Sequence, residues 1–326
     1  MTLRNLVVIL TIMMPASGWA QVAAKSQATS VKVTVLSTML VGASGENGIG
    51  EWGFAALLEV DGRRILIDTG ARPDTVLRNV DELKVDLSNV TEVVLTHNHF
   101  DHTGGLLALR RSVVAKNRAA LSRVHVPAGI FTSRLIDGRE VGGLLPIKQE
   151  FEQLGGTFIE HGSPFELAPG VWLLGPVPRV HPERNWSVSD RPQLLQLPSG
   201  PVEDNVPEDT AIAINTRSGL VVISGCAHAG IVNTLEYARK AIADVPIEAA
   251  IGGVHLFAAS DEVLEWTGGR LKALGVRHLL GAHCTGIEAV FRLRQLIGLA
   301  RQTAVVGAVG TSFTLGTGIA SPALAR

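Results

Sequence analysis

The chain has 326 residues, of which 46% are apolar and 18% are charged, a balance typical of a globular protein with a large buried core. Its formal net charge is −1 and no long basic run occurs, so electrostatics give no reason to expect nucleic acid or an anionic membrane surface as a partner. We expect a small-molecule substrate instead. The sequence leaves the oligomeric state open.

The N-terminus has the features of a secretory signal peptide. Arg4 precedes an apolar run at 6–14 that is too short to span a bilayer, and Gly18 and Ala20 supply the small residues of a cleavage site. A membrane anchor is the alternative, but no cysteine lies near residue 20 to accept lipid. After cleavage we expect a periplasmic or secreted protein without stable membrane insertion. The predicted organisation is a signal peptide at 1–20, a polar linker at 21–30 and one domain at 31–326.

Apolar alternation predicts the elements that follow. The Asp61-Gly62 pair is a favourable hairpin turn between two strands, and Asp68 stands at the exit of the second one. The expected elements are strands at 31–36, 54–60 and 64–67, a helix at 73–83 and a strand at 91–95.

A dense group of metal-ligating side chains follows the strand at 91–95, with three histidines and a carboxylate within six residues. An extended chain repeats its side-chain direction every two residues, so His97 and His99 should face the same way, while Asp101 and His102 follow a turn. Imidazole and carboxylate are ligands of divalent ions, and we predict two such ions, zinc in preference to manganese or iron. A polar surface loop is the alternative, which this density among only ten histidines disfavours.

The second half of the chain repeats the pattern of the first. Two strands at 211–214 and 220–224 are again joined by a turn, with candidate ligands at the second exit. The segment 132–156 is expected to shape the substrate pocket. The other predicted elements are helices at 105–119, 147–154, 230–243, 261–274 and 288–298, and strands ending at 127, starting at 171, and spanning 247–251 and 279–283, the last of which is expected to be the final strand.

These motifs resemble the metallo-β-lactamase superfamily, and more narrowly its branch related to dihydropterin ribofuranosyl-aminobenzene phosphate synthase. The resemblance extends from about residue 31 to 314 and is carried by His-x-His-x-Asp-His at 97–102 and by the segments 51–53, 65–70, 225–233, 251–256 and 283–286. It implies an α/β fold, the αββα four-layer sandwich. Within that fold it implies that Asp68 lies beneath the metals and orients a ligand, that Arg179 contacts an anionic group, and that His255 supports the site or the substrate.

The sequence departs from the wider superfamily in the second half of the ligand set. Glu208 and Asp209 stand where a histidine is usual, and Cys226 stands where an aspartate is usual. His228 and His283 each follow a strand-like run, so we expect them to reach the site. The predicted ligands are therefore His97, His99 and His228 around one ion and Asp101, His102 and His283 around the other, with Cys226 or Asp209 as an uncertain further member.

The two cysteines, Cys226 and Cys284, leave three alternatives open: metal-proximal thiols, a disulfide, or inert buried thiols. Four other histidines lack ligand-like spacing and are interpreted as ordinary: His125, His161, His181 and His278.

The resulting expectation for function is an exported metal-dependent hydrolase acting on an ester, lactone or phosphoester, with Asp101 as ligand and as the group that orients a metal-activated water. The rewritten ligand set argues against β-lactam hydrolysis. Two alternatives are kept: a metal- or ligand-binding protein with little turnover, and a pterin-related synthase as in the branch that the chain resembles.

The leader can be tested directly. Protein expressed with its complete N-terminus should begin near Gln21 when its mature form is sequenced, because the cleavage pattern ends at Ala20. Intact Met1 on a cytoplasmic protein would contradict the prediction.

Overall fold

The computed structural model describes residues 25–42, 48–185 and 193–322. Within these ranges, eight strands form the first sheet, antiparallel at one side and parallel from β3 to β8. In pairing order they are β19 (Gly318–Ala320), β18 (Ser312–Thr314), β1 (Val31–Ser37), β2 (Ala55–Val60), β3 (Arg63–Ile67), β4 (Glu92–Val94), β5 (Arg123–Pro127) and β8 (Thr157–His161).

The second sheet has the same plan, with antiparallel pairing from β9 to β14 and parallel pairing from β14 to β17. In pairing order its strands are β17 (Ala304–Val306), β16 (His278–Gly281), β15 (Ile247–Gly252), β14 (Gly219–Ser224), β13 (Ala211–Thr216), β10 (Val171–Leu173) and β9 (Phe165–Ala168). A small third sheet contains β12 (Gly200–Glu203), β11 (Leu194–Leu197), β6 (Arg134–Ile136) and β7 (Arg139–Glu140).

Helices cover the outer faces of the two large sheets. One apolar core lies between the sheets, a second lies between the first sheet and α1, α3 and α4, and a third lies between the second sheet and α5 to α7. The helices are α1 (Thr75–Glu82), α2 (Phe100–Thr103), α3 (Leu106–Val114), α4 (Lys148–Gln153), α5 (Ile231–Ala241), α6 (Asp261–Ala273) and α7 (Ile287–Ile297). Among the described residues, no helix is long and apolar enough to cross a membrane.

Strand β13 shows how the sequence produces this layering. All six of its residues are buried. Ile212 and Ile214 pack into the core between the sheets, while Ala211 and Ala213 pack toward the helices. Because successive side chains point to opposite faces, a strand covered on both sides has apolar residues on both faces where it crosses the cores, as Ala211 to Ile214 do. The predicted αββα four-layer sandwich is confirmed.

Several details differ from the sequence-based expectation. Residues 25–30, expected within a linker, pack on the domain: Ala28 is buried and its amide donates to the Asn215 carbonyl at 2.8 Å. The strand at 279–283 is not the last, because three strands from 304 onward complete the edges of both sheets. The predicted signal peptide and residues 21–24 of the linker lie outside the described residues.

A buried charge network links the third sheet to the two-sheet core. The Arg134 guanidinium, fully buried on β6, donates to Asp204 at 2.8 Å and pairs with Glu208. The Glu208 carboxylate in turn accepts the backbone N–H of Asn98 at 3.2 Å. Burial raises the pKa of Glu208 to about 7, although Arg134 opposes that shift. The network therefore ties the pocket-forming segment to the loop that carries His97.

Removing the cation from this network should be costly. In an Arg134→Ala protein two buried carboxylates lose their partner, and we expect a loss of about 3–5 kcal/mol in the free energy of unfolding. Arg111→Ala is the matched control, because the Arg111–Glu150 pair is exposed and should contribute less than about 1 kcal/mol. Urea unfolding measures both variants. Equal stability of the two would mean that the network contributes no more than a surface pair.

Candidate metal centre

The candidate site lies where strands of both sheets end. Parallel strands bring their carboxyl ends to the same edge, and Asp68 follows β3, His97 follows β4, Cys226 follows β14 and His283 follows β16. The two sheets present these edges to each other, so the exits meet at one end of the sandwich.

The loop after β4 supplies four of the predicted ligands. The sequence predicts an extended chain that points His97 and His99 the same way, but the backbone bends at His97. The ring centroids of His97 and His99 lie 4.6 Å apart because of this bend and the turn that follows. α2 starts directly after His99 and carries Asp101 and His102. The His102 amide donates to the His99 carbonyl at 3.0 Å and closes this turn.

Two glycines let α2 approach the turn after β3. A methyl group at Gly104 would lie 2.0 Å from the Ala71 carbonyl oxygen, and one at Gly105 would lie 2.1 Å from that of Thr69. Any side chain at either position would push α2 away. The glycines therefore hold Asp101 and His102 close to Asp68.

The second sheet contributes the remaining candidate ligands. The His228 ring lies 4.7 Å from that of His97 and 4.8 Å from that of His99. The His283 ring lies 5.0 Å from that of His102, and its Nε2 is 3.2 Å from the Asp101 carboxylate.

Candidate ligand atoms group into triads whose members all lie within 4.8 Å of one another. Two of these triads are the ones assigned from the sequence, and Cys226 is a member of each of the other three. The triads are His97–His99–His228, Asp101–His102–His283, His97–His102–Cys226, Cys226–His228–His255 and Cys226–His283–Cys284. The structure thus places Cys226, and not Asp209, among the grouped ligand atoms.

The protonation of the histidines suits a cation. Burial, with neighbouring imidazoles adding to it, holds the pKa of His97 and of His228 well below its usual range, and burial lowers that of His99 to about 4. At neutral pH these rings are uncharged, which is the ligating form. Within the described part of the chain, no hydrogen-bond partner reaches Nε2 of His97 or of His228. Two orphaned, buried nitrogens facing one point fit a metal ion.

The second triad has the opposite balance of charge. Burial would raise the pKa of Asp101, but His102 and His283 outweigh it and hold that pKa well below its usual range. Burial would lower the pKa of His102, but Asp101 and Asp68 outweigh it and raise it to about 9. Asp101 and Asp68 concentrate negative charge here, and a divalent ion would take the place of the proton on His102.

Asp68 orients His102 from beneath the cluster. Its carboxylate lies 2.7 Å from His102 Nδ1 and accepts from the backbone N–H and the hydroxyl of Thr96, both at 2.8 Å. His102 Nε2 is thereby directed toward the ligand atoms. A methyl group at Gly225 would lie 2.6 Å from the Asp68 carboxylate, so this glycine makes room for the pair. No local sequence pattern indicates that role for Gly225.

His228 is fixed by three partners in its surroundings. Its Nδ1 lies against the backbone carbonyl of Asn185. Arg179, expected to contact an anionic group, donates to the His228 carbonyl at 2.6 Å. Asp209 accepts the Ala229 N–H at 2.9 Å, and burial raises its pKa to about 7. Arg179 and Asp209 therefore stabilise the turn that carries His228 through hydrogen bonds to its backbone.

The turns that carry the site are strained. Asp68, Ala227, His255 and His283 are non-glycine residues with φ between 48° and 53°. This left-handed conformation is uncommon for such residues and clusters at functional sites. Each of the four lies at or just after a strand exit of the candidate centre.

The cysteines lie side by side within the cluster. Cys226 Sγ is 3.0 Å from Cys284 Sγ and 3.1 Å from His102 Nε2, and both cysteines are buried free thiols.

The histidines interpreted as ordinary lie apart from these groups. His125 contacts Glu92 and His161, His181 contacts Glu236, and His278 contacts Glu248.

Comparison with known proteins identifies the family. The sequence profile of the metallo-β-lactamase superfamily matches residues 53–240. The chain belongs to this superfamily. It is 33% identical over 248 residues to 7,8-dihydropterin-6-methyl-4-(β-D-ribofuranosyl)-aminobenzene-5'-phosphate synthase of Methanocaldococcus jannaschii, covering 73% of this chain and 82% of that protein.

Solved structures agree on the fold. A metal-dependent hydrolase of the β-lactamase superfamily has a TM-score of 0.66 and 26% identity, covering 86% of this chain and 98% of its own. Zinc-bound PqqB of Methylobacterium extorquens has a TM-score of 0.50 and 13% identity, covering 86% of this chain and 99% of its own. Superfamily membership supports an enzymatic activity, and the His, Cys and Asp groups could hold a metal.

The main functional expectation from the sequence, an exported hydrolase, is wrong. The 33% identical relative is a synthase, whereas the hydrolase assignment extends only to the superfamily level, and none of the comparisons indicates export. The pterin-related alternative agrees better with these findings.

The histidine triad generates a test of metal content. His228→Ala removes one member of the triad at His97, so we expect less bound divalent metal per chain in elemental analysis, with circular dichroism unchanged because the fold's cores lie elsewhere. His181→Ala is the matched control, since His181 contacts Glu236 outside the cluster. Full metal content in the His228→Ala protein would remove His228 from the ligand set.

Proposed function

We propose that this chain is a metal-dependent synthase that joins a dihydropterin to the amino group of a ribofuranosyl-aminobenzene phosphate or a close analogue of it. The observation that carries the proposal is the 33% identity to the synthase, which extends over 82% of that protein. All the ligand motifs of the candidate centre fall in one cluster, and this supports a reaction at that cluster.

The product named for the relative dictates the chemistry. A methylene carbon on position 6 of the pterin becomes bonded to an aromatic nitrogen. Forming this C–N bond requires that a bond from the same carbon to a leaving group, which we take to be an activated phosphate ester, breaks and that the leaving oxygen keeps the electron pair. The attacking nitrogen must also lose a proton.

Residues of this chain can perform the proton transfer. The Asp101 carboxylate is ionised at neutral pH, since its pKa is held well below the usual range, and it is slightly exposed at the edge of the cluster. We assign it as the group that receives the proton from the arylamine. His283, whose Nε2 lies 3.2 Å away, holds that carboxylate in place.

The same residues would hold the metal. Two divalent ions, zinc in preference to manganese or iron, would be bound by the triads at His97 and at Asp101, with Cys226 available to either. When bound, such ions stabilise negative charge developing on a leaving oxygen.

Water exclusion supports a synthase over competing hydrolysis. His97, His102 and His228 are fully buried, so the inner part of the cluster is shielded from bulk solvent. An activated pterin held there would meet the arylamine in preference to water.

A secretory leader and a periplasmic or secreted location are proposed from residues 1–20 alone.

The proposal predicts a specific product. Metal-loaded protein incubated with the diphosphate ester of 6-hydroxymethyl-dihydropterin and 4-(β-D-ribofuranosyl)aminobenzene 5'-phosphate should form the coupled product, detected by mass spectrometry, and a chelator should abolish it. Asp101→Asn should lower kcat by roughly 100-fold or more. Asp261→Asn is the control, because Asp261 is exposed at the start of α6. Hydrolysis of the ester without coupling would overturn the proposal.

A further inference from the structure

A large aromatic side chain stands exposed beside the buried cluster. Trp52 is 45% exposed, and the centroid of its ring lies 5.0 Å from that of His283. Phe257, 48% exposed, lies 5.3 Å from the indole at an interplanar angle of 83°. The Phe257 ring also lies 5.2 Å from that of His255, which contacts His228. A continuous series of rings thus connects the inner histidines to an exposed surface, which we call the aromatic shelf (Trp52 and Phe257).

The backbone that carries Trp52 is held on both sides. The buried Glu51 carboxylate accepts from the Ser37 hydroxyl at 2.6 Å and from the backbone N–H of Arg72 at 2.9 Å. A methyl group at Gly53 would lie 2.7 Å from the Ala71 nitrogen and 2.9 Å from the Asp101 carbonyl oxygen, so this residue is packed against both segments. These contacts fix the backbone on both sides of Trp52, whose indole is exposed.

Phe257 is held in a similar way. Its amide donates to the Cys284 carbonyl at 3.2 Å. Gly286, with φ of 83°, lies so close that a methyl group there would be 2.7 Å from the Phe257 Cα. The turn that positions His283 and the turn that carries Phe257 are thus packed together, which fixes the backbone beneath an exposed phenyl ring.

Two adjacent aromatic rings that are exposed on well-anchored backbones point to a ligand. Single exposed apolar residues are ordinary on protein surfaces. An indole, however, is among the side chains that stabilise most when buried, and here two rings from distant loops meet at the mouth of the candidate centre with their backbones fixed. Preorganised aromatic surface of this kind reduces the entropic cost of binding a flat molecule.

We propose that the aromatic shelf binds the pterin ring of the substrate by stacking, which rests on the proposed synthase function. A bicyclic heterocycle matches the indole in size, and electron-poor nitrogen rings stack well on electron-rich indole. Because the Trp52 ring lies 5.0 Å from that of His283, a ring stacked on the shelf would lie beside the ligand cluster. Trp52 is then a positioning residue that sets specificity for the heterocyclic half of the substrate.

Equilibrium binding of 6-hydroxymethyl-pterin to the metal-loaded full chain, measured by calorimetry, tests the shelf independently of turnover. Loss of one stacking face should weaken binding roughly 10- to 100-fold in Trp52→Leu. Trp52→Phe, which keeps a ring, should stay within about threefold of the wild type. Trp266→Leu is the matched control, because Trp266 is 40% exposed on α6 and packs against His181. Circular dichroism checks that each variant is folded.

The outcomes separate this inference from the proposed function. Pterin binding by the wild type that is weakened in Trp52→Leu but not in Trp266→Leu supports the shelf, and it does so even if no coupled product forms, a result that would overturn only the synthase proposal. Unchanged binding in Trp52→Leu overturns the shelf and leaves the synthase proposal standing. A wild-type protein that binds no pterin overturns the shelf as well.

Discussion

The geometry of the candidate centre depends on one buried carboxylate. Asp68 leaves β3 in a left-handed conformation and holds Thr96 from the loop after β4 and His102 from α2 through three short contacts. Gly225, at the exit of β14, is the residue whose missing side chain leaves space for it. Segments that follow strands of both sheets therefore pack against the Asp68 side chain. Because a buried carboxylate is costly unless fully hydrogen-bonded, this arrangement strongly restricts how the strands can end.

The cluster above Asp68 places local stability and function in opposition. The Nε2 atoms of His97 and His228 have no hydrogen-bond partner among the described residues, four turns have strained backbones, and carboxylates are buried nearby. Each of these features destabilises the folded protein when no metal ion is bound. A divalent cation would satisfy the orphaned nitrogens and the Asp101 carboxylate together, and its binding energy would add to folding stability. The large apolar cores of the two sheets provide the surplus that tolerates such a site.

The comparison with related proteins shows how one fold supports different reactions. The chain matches the superfamily profile and the sequence of a synthase, and it shares its fold with the solved structure of a hydrolase. In this chain Cys226 and His228 follow β14, and Trp52 and Phe257 lie exposed beside the candidate ligands. Fold membership fixes where a site must lie, whereas the reaction depends on side chains grafted at that edge. The hydrolase expectation failed because it was drawn from the shared part.

The αββα sandwich and the candidate ligands could both be predicted before the structure, from local apolar patterns together with the family resemblance. Alternating and fully apolar runs fix which faces of strands are buried, and histidines directly after such runs must lie at strand exits. The contacts among the site residues depend on how the two sheets pack. The packing of the two sheets brings Cys226 into the triads, whereas Asp209 accepts a backbone hydrogen bond in the turn after His228. It also pairs Arg134 with Glu208, and it leaves no room for a side chain at position 225. These contacts join residues far apart in the chain, and no local periodicity encodes them.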